Sequence, residues 1–216
     1  MDNCTLDTNL AGAVEVAGGT FRAERCTFIN NQATAFGGVL YVVGGVAGLF
    51  DCLLTGNSAV SAGGAIYSAG GSTVLAEGTR ITGNQAPQGA SIFRATTGLG
   101  NLAYATPAPA GRWILRTGGI SCENEDNCFL LNWPELSPNA SVQTIAPGYV
   151  SEDFPYACSP GLFGGANAPH SEQSGPGCSG LCASGTYCSS GTVVPLTCAP
   201  LLGKHEYGHV HARALA

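Results

Sequence analysis

Residues 26–51 read CTFINNQATAFGGVLYVVGGVAGLFD, and residues 52–78 read CLLTGNSAVSAGGAIYSAGGSTVLAEG. The two stretches share one pattern, in which an Asn is followed two positions later by Ala, and a Gly-Gly pair leads into an apolar triplet. A further copy, the fourth along the chain, begins at Thr79, and a shortened first copy that lacks the Gly-Gly pair begins at Cys4. Self-similarity with a period of about 26 residues indicates stacked units that bury their apolar faces only against their neighbours.

Each copy holds short β-like runs separated by Gly or Asn, and no window has the spacing of an amphipathic helix. In the copy that begins at Cys52, these runs are residues 52–55, 65–68 and 72–75. Gly and Asn tolerate the positive φ that a sharp turn between strands requires. The pattern therefore predicts an all-β fold, a parallel β-helix of about four coils over residues 1–105.

Stacking in register places equivalent residues of successive coils in rows along the axis of the β-helix. One such row contains Cys4, Cys26 and Cys52. A second row lies at a corner of the coil and contains Asn9, Asn31, Asn57 and Asn84. An inward Asn ladder can form hydrogen bonds between coils and fix their register. We therefore expect these asparagines to have a structural role rather than a catalytic one.

The combination of Phe/Leu-x-x-Asn-x-Ala with Gly-Gly-Ala-Ile resembles the repeats of the chlamydial polymorphic outer-membrane proteins and of similar microalgal surface proteins. Residues 28–33 and 63–66 match this pattern best, whereas the fourth copy has Ala90 in place of the second glycine. The resemblance covers residues 1–105. It implies a right-handed β-helix in an exported, elongated, adhesin-like module, and it implies no catalytic residues.

Composition limits the class of partner. Charged residues make up 10% of the chain, the net charge is −6, and the 8 Lys and Arg are scattered, which argues against nucleic acid. No run approaches the roughly 18 apolar residues of a transmembrane helix. No signal peptide is recognisable after Met1. Because the coils are few and no polar capping segment precedes the first, we expect this sequence to be a piece of a longer exported protein.

The 10 cysteines favour an oxidising compartment, so we expect an extracellular or cell-surface location. Residues 106–157 are predicted to form an irregular connector, in which Cys122 and Cys128 bracket a short acidic loop. A disulfide that closes this loop would contribute about 2 kcal/mol in the chain-entropy model. The loop lacks the D-x-D-x-D-G alternation of an EF-hand, so we interpret it as a solvated loop rather than a calcium site.

Residues 158–200 are predicted to form a small cysteine-rich module that has too little core to fold without covalent links. The C-x₂-C pairs of zinc ribbons are absent, and the exported context favours disulfides over zinc. The Gly-x-Tyr-Cys step at 185–188, followed by Gly-Thr and Pro before the next Cys, resembles the ephrin-receptor-like cysteine-rich repeat. The disulfide candidates are Cys122, Cys128, Cys158, Cys178, Cys182, Cys188 and Cys198.

One string near the C-terminus resembles an enzyme motif. His205, Glu206 and His209 satisfy HExxH, in which two histidines bind Zn²⁺ and the glutamate acts as general base. A zinc site needs a third ligand, but the metzincin position holds a leucine, and His211 lies on the wrong helical face. We interpret residues 201–216 as a flexible His-containing tail without a metal site. A truncated zinc metalloprotease is the alternative.

Parallel β-helices also host polysaccharide lyases and hydrolases, so a carbohydrate-active enzyme is a second alternative. Such sites need clustered charged residues on one face, whereas Arg22, Arg80 and Arg94 occupy different positions of their repeats. We predict a non-enzymatic extracellular or cell-surface module with a structural or adhesive role and no cofactor. Its expected partner is a protein or a carbohydrate. The sequons at Asn3 and Asn139 permit N-glycosylation.

Overall fold

The N-terminal half of the chain winds into stacked coils of short parallel strands. A computed structural model of the chain describes residues 1–69, 72–95, 101–105, 107–114, 142–145, 148–169, 172–173 and 175–198, and these residues contain no helix. The first coil contains β1 (Thr5–Asp7), β2 (Val14–Val16) and β3 (Thr20–Glu24). The second contains β4 (Thr27–Ile29), β5 (Gln32–Ala33), β6 (Leu40–Val42) and β7 (Gly45–Phe50). The third contains β8 (Leu53–Thr55), β9 (Ser58–Ala59), β10 (Ile66–Ser68) and β11 (Ser72–Glu77). The fourth contains β12 (Arg80–Thr82), β13 (Ile92–Arg94) and β14 (Asn101–Ala105).

Equivalent strands of successive coils pair in parallel and form three sheets along the axis. The first sheet has the order β1-β4-β8-β12, the second contains β2-β6-β10-β13, and the third contains β3-β7-β11-β14. Within the first sheet, Phe28 lies opposite Leu6 and Leu54, and Leu54 lies opposite Ile81. This arrangement of one coil per repeat confirms the predicted β-solenoid of about four coils.

Like side chains stack in rows inside the solenoid. In the first sheet, Phe28, Leu54 and Ile81 form one row and are completely buried. In the second sheet, Leu40, Ile66 and Ile92 form another row, and each is at most 2% exposed. Burying each side chain of this size contributes about 1.5–3 kcal/mol. The core is therefore continuous along the axis, and no single coil has a core of its own.

The Gly-Gly pair of each repeat satisfies two separate steric requirements. The first glycine has a left-handed φ, +62° at Gly37, +67° at Gly63 and +62° at Gly89. The second glycine packs against the backbone of the next coil. A Cβ on Gly38 would lie 2.2 Å from the carbonyl oxygen of Gly64, and a Cβ on Gly64 would lie 2.2 Å from that of Ala90. Within the described residues no parallel coil stacks beyond Ala90, so the fourth copy accommodates alanine at this position.

A segment from the C-terminal half of the chain caps one end of the solenoid. After the fourth coil come β15 (Arg112–Trp113), β16 (Val142–Thr144), β17 (Gly148–Val150) and β18 (Tyr156–Ala157). β16 pairs antiparallel with β14, and β17 pairs antiparallel with β13. Phe154 and Ile81 exchange two backbone hydrogen bonds of 2.8 Å, which extends the cap to the first sheet. Each of the three sheets thus ends on a segment that runs in the opposite direction.

The cysteine-rich module consists of short antiparallel pairs. These strands are β19 (Leu162–Phe163) with β20 (Gly180–Leu181), and β21 (Thr186–Tyr187) with β22 (Leu196–Thr197). β15 pairs with β18 at the start of the module. The buried side chain of Gln173 donates a hydrogen bond to the carbonyl oxygen of Ala108 at 2.8 Å. It also accepts a hydrogen bond from the N–H of Ala108 at 3.0 Å. This side chain fixes the module against the segment that follows the fourth coil.

Candidate functional site

The repeat asparagines form a hydrogen-bonded ladder at one corner of the solenoid. Asn31 Nδ2 donates to Asn57 Oδ1, and Asn57 Nδ2 donates to Asn84 Oδ1, both at 2.9 Å. Each of these two acceptor oxygens also accepts a hydrogen bond from the backbone N–H of the preceding ladder asparagine, at 2.9 Å. In the first coil, Asn9 Nδ2 donates to Asn31 Oδ1 at 2.6 Å. Asn31 and Asn57 have no exposed surface, so their amides bind neighbouring coils and are inaccessible to a ligand.

The cysteine row contains a disulfide between two coils that is not among the bonds predicted from the sequence. Cys4 and Cys26 are bonded, with their Cα atoms 4.6 Å apart. Cys52, the next member of the row, keeps a free thiol that donates to the carbonyl oxygen of Phe50 at 3.3 Å, and burial raises its pKa. Neighbouring strands lie about 4.8 Å apart, which is within the Cα range of a disulfide. Placement of cysteines in one row was therefore the signal that could have identified this bond.

The C-terminal cysteines form two further disulfides. Cys158 is bonded to Cys178 and Cys182 to Cys188, with Cα separations of 6.1 and 6.3 Å. Cys198 is exposed and has a free thiol, although its spacing placed it among the disulfide candidates. Cys122 and Cys128 lie outside the described residues.

Several other predicted positions lie outside the described part of the chain, namely Asn139, His205, Glu206 and His209. Asn3 is exposed and has a φ of 48° in the first turn. Across the described ranges, no three His, Cys, Asp or Glu side chains are grouped closely enough to hold a metal ion. The same residues form no helix that is long and apolar enough to span a membrane.

A groove of about 530 Å³ follows the outside of the corner next to the asparagine ladder. It is lined by equivalent residues of successive coils, namely Leu10, Gln32, Ala33, Thr34, Ser58, Ala59, Val60, Gln85, Ala86 and Pro87. Gln32 lies opposite Ser58 on the paired strands β5 and β9, and Ser58 lies opposite Gln85. Since adjacent strands are about 4.8 Å apart, the groove extends about 14 Å along the axis from the first coil to the fourth.

The polar side chains of this groove have no hydrogen-bond partner among the described residues, whereas the backbone beneath them does. The N–H groups of Gln32, Ser58 and Gln85 donate to carbonyl oxygens of the asparagine ladder at 2.7–2.8 Å. The side chains of Gln32 and Gln85 are exposed, and that of Ser58 is half-buried. The groove contains no charged residue. It therefore offers amide and hydroxyl groups on a hydrogen-bonded backbone, without an electrostatic preference for ions.

An aromatic row lies on the outer face of the second sheet. Tyr67 packs against Tyr41 and Phe93 of the neighbouring coils, with ring centroids 5.5 and 5.2 Å away, and against Phe36 at 4.5 Å. Tyr149 of the cap lies opposite Phe93 and is 67% exposed. Burial, and then the neighbouring Tyr41, raise the pKa of Tyr67. Each ring pair stabilises the contact between coils by about 0.5–1.5 kcal/mol, so this row is explained by packing.

Two stretches of the chain, residues 25–43 and 51–69, match the Chlamydia polymorphic membrane protein repeat. Each stretch contains one ladder asparagine, one Gly-Gly pair and one tyrosine of the aromatic row. The matched pattern thus coincides with the features that hold adjacent coils in register. No curated protein and no solved structure matches the chain significantly. The second and third coils of the solenoid are therefore similar in sequence to the Chlamydia polymorphic membrane protein repeat.

Proposed function

We propose that this chain is a non-enzymatic module of an exported surface protein, with a structural and adhesive role. The observation that carries the proposal is that the repeats contain two sets of positions with different contacts. The repeated asparagine, glycine and tyrosine positions all serve contacts between coils, whereas the polar side chains at the groove positions have no hydrogen-bond partner among the described residues. A hydrogen-bonded stack with exposed polar side chains along one outer corner is suited to presenting a surface to a partner.

The disulfides support an extracellular or cell-surface location. One bond joins two coils of the solenoid, Cys4 to Cys26, and two others lie in the cysteine-rich module. Bonds of this kind persist in oxidising compartments and are rare where glutathione keeps thiols reduced. The match to repeats of membrane proteins points in the same direction.

The adhesive role can be tested with beads that carry the folded chain. Beads coated with the oxidised protein should be retained on cells of the source organism, whereas beads coated with reduced and alkylated protein should wash off. Equal retention of both preparations, or of albumin-coated beads, would contradict the proposal. Labelling of intact cells with a membrane-impermeant biotin reagent tests the location independently, since an intracellular protein would remain unlabelled.

Zinc analysis tests the protease alternative on the same preparation. The proposal predicts no stoichiometric zinc in the purified full chain. Tightly bound zinc that is lost on His205→Ala would overturn the non-enzymatic assignment, because that histidine belongs to the HExxH string. The variant His211→Ala is the matched control, since this residue lies outside the motif.

A further inference from the structure

We infer that the groove lined by Gln32, Thr34, Ser58 and Gln85 binds a neutral, linear carbohydrate chain. The inference rests on the proposed role at a surface and specifies the chemical class of the ligand. The volume of about 530 Å³ is within the usual range for ligand sites. The groove follows the axis across successive coils, so it presents the same kind of surface repeatedly and fits a polymer better than a compact small molecule.

The hydrogen-bonding groups of the groove match those of a sugar. Glutamine amides and the hydroxyls of Ser58 and Thr34 both donate and accept, and so do sugar hydroxyls. None of these side chains is engaged by another described residue, so a ligand would not need to break an existing protein bond. Gln32, Ser58 and Gln85 follow one another at the coil spacing of about 4.8 Å, which provides contacts to successive units of a chain.

Apolar residues flank the polar ones. Leu10 is 72% exposed and Val60 is 67% exposed at the groove, and Pro87 lies on the fourth coil. The C–H faces of sugar rings can pack against such side chains and bury apolar surface on both partners. The alternation of exposed apolar groups with amides is consistent with the amphipathic surface of a pyranose chain.

Other polymers fit the groove less well. Nucleic acids and acidic polysaccharides need cationic side chains, and the groove contains none. An extended peptide could gain affinity by adding a strand to a free sheet edge. However, the backbone here is already paired between coils, for example Ala59 N–H to the carbonyl oxygen of Gln85 at 2.9 Å and Val60 N–H to that of Ala33 at 3.2 Å. Neutral polyhydroxyl chains remain as the class that uses the available groups.

Titration calorimetry with the full chain tests the inference against short cello-, laminari-, manno- and xylo-oligosaccharides, with oligogalacturonate as the anionic comparison. We expect at least one neutral oligosaccharide to bind, and the double variant Gln32→Ala/Gln85→Ala to bind about tenfold more weakly because two neutral hydrogen bonds are lost. Gln88→Ala is the matched control, since this exposed glutamine lies outside the groove three residues beyond Gln85. Its affinity should equal that of the unmodified chain.

Three results would overturn the inference: no binding of any neutral oligosaccharide, binding of oligogalacturonate alone, or an affinity that the double variant leaves unchanged. An unaltered near-ultraviolet circular dichroism spectrum establishes that the variants are folded. The bead experiment keeps the two proposals separate. Beads that adhere to cells without any oligosaccharide binding would eliminate the carbohydrate site and leave the adhesive role standing.

Discussion

Replacement of one ladder asparagine tests whether the ladder stabilises the solenoid. Asn57 is completely buried, and its side chain accepts the backbone N–H and the Nδ2 group of Asn31, both at 2.9 Å. It donates to Asn84 Oδ1 at 2.9 Å and to the carbonyl oxygens of Phe28 and Thr55 at 3.0 and 3.1 Å. Asn57→Leu keeps the branched shape of the side chain and removes all of these bonds.

The expected cost follows from the groups that lose their partners. The backbone N–H of Asn31 loses its acceptor in the interior, which costs about 1–3 kcal/mol. The other bonds each contribute a net of about 0.5–1.5 kcal/mol and are not fully additive. Asn84 Oδ1 still accepts the backbone N–H of residue 57, and the carbonyl oxygen of Thr55 still accepts that of Asn30. We therefore expect Asn57→Leu to lower the free energy of unfolding by about 3–5 kcal/mol.

Asn9→Leu is the matched control at the exposed end of the same ladder. Its side chain donates one hydrogen bond to Asn31 Oδ1, which would still accept the backbone N–H of Asn9 at 3.1 Å. We expect a cost of about 0.5–1 kcal/mol. Urea unfolding followed by circular dichroism, with disulfides intact, measures the free energy of unfolding of both variants. The comparison requires that the variants leave unchanged the slope m, the dependence of this free energy on urea concentration. Equal costs for the two variants would refute the role assigned to the buried ladder.

Three further predictions concern packing, pH and thiol reactivity. Gly64→Ala should destabilise the fold by about 1–3 kcal/mol in urea, because its Cβ would collide with the next coil, whereas Gly18→Ala, with nothing within 4 Å, should be neutral or slightly stabilising. Burial raises the pKa of Tyr104 well above its ordinary value of 10.0, so the folded state holds the phenolic proton more tightly than the unfolded state. The resulting stabilisation is fully present below pH 10 and is lost as the pH rises further, and Tyr104→Phe should reduce this alkaline loss in a series of thermal melts. Iodoacetamide should label Cys198 in the folded protein and Cys52 only after unfolding, as peptide mapping would show, because Cys52 is buried and its thiol pKa is raised.

The fold could be predicted from the sequence because register stacking makes successive coils repeat the same side chains. Asn57 needs an asparagine in the next coil, and Gly64 needs space for the next carbonyl oxygen. Physical requirements of this kind recur once per coil and are therefore visible as a period. The disulfide between Cys4 and Cys26 follows from the same stacking, but it required the strand spacing to be applied to the cysteine row.

The groove and the cap could not be predicted in the same way. Positions 32, 58 and 85 are occupied by Gln, Ser and Gln, so no single residue type recurs along the groove and marks it in the sequence. The cap strands β16 and β17 have three residues each and lie outside the repeat region. Their pairing joins Phe93 to Tyr149 across a long stretch of sequence. Such pairing depends on tertiary contacts that local patterns do not encode.

The antiparallel cap and the departure of the fourth repeat from the pattern have one physical cause. A parallel coil stacked on the fourth would place a carbonyl oxygen against position 90, just as the carbonyl oxygens of Gly64 and Ala90 lie against Gly38 and Gly64. The cap runs in the opposite direction and pairs with the second sheet through β17, including the bond from Ser91 N–H to the carbonyl oxygen of Val150 at 3.0 Å. Because the reversed strands do not reproduce the corner of a parallel coil, they do not place the equivalent carbonyl oxygen against position 90. A second glycine is therefore not required in the fourth copy, and Ala90 is accommodated. Antiparallel segments therefore occupy the terminal position of all three sheets at this end, and within the described residues they end the run of parallel coils.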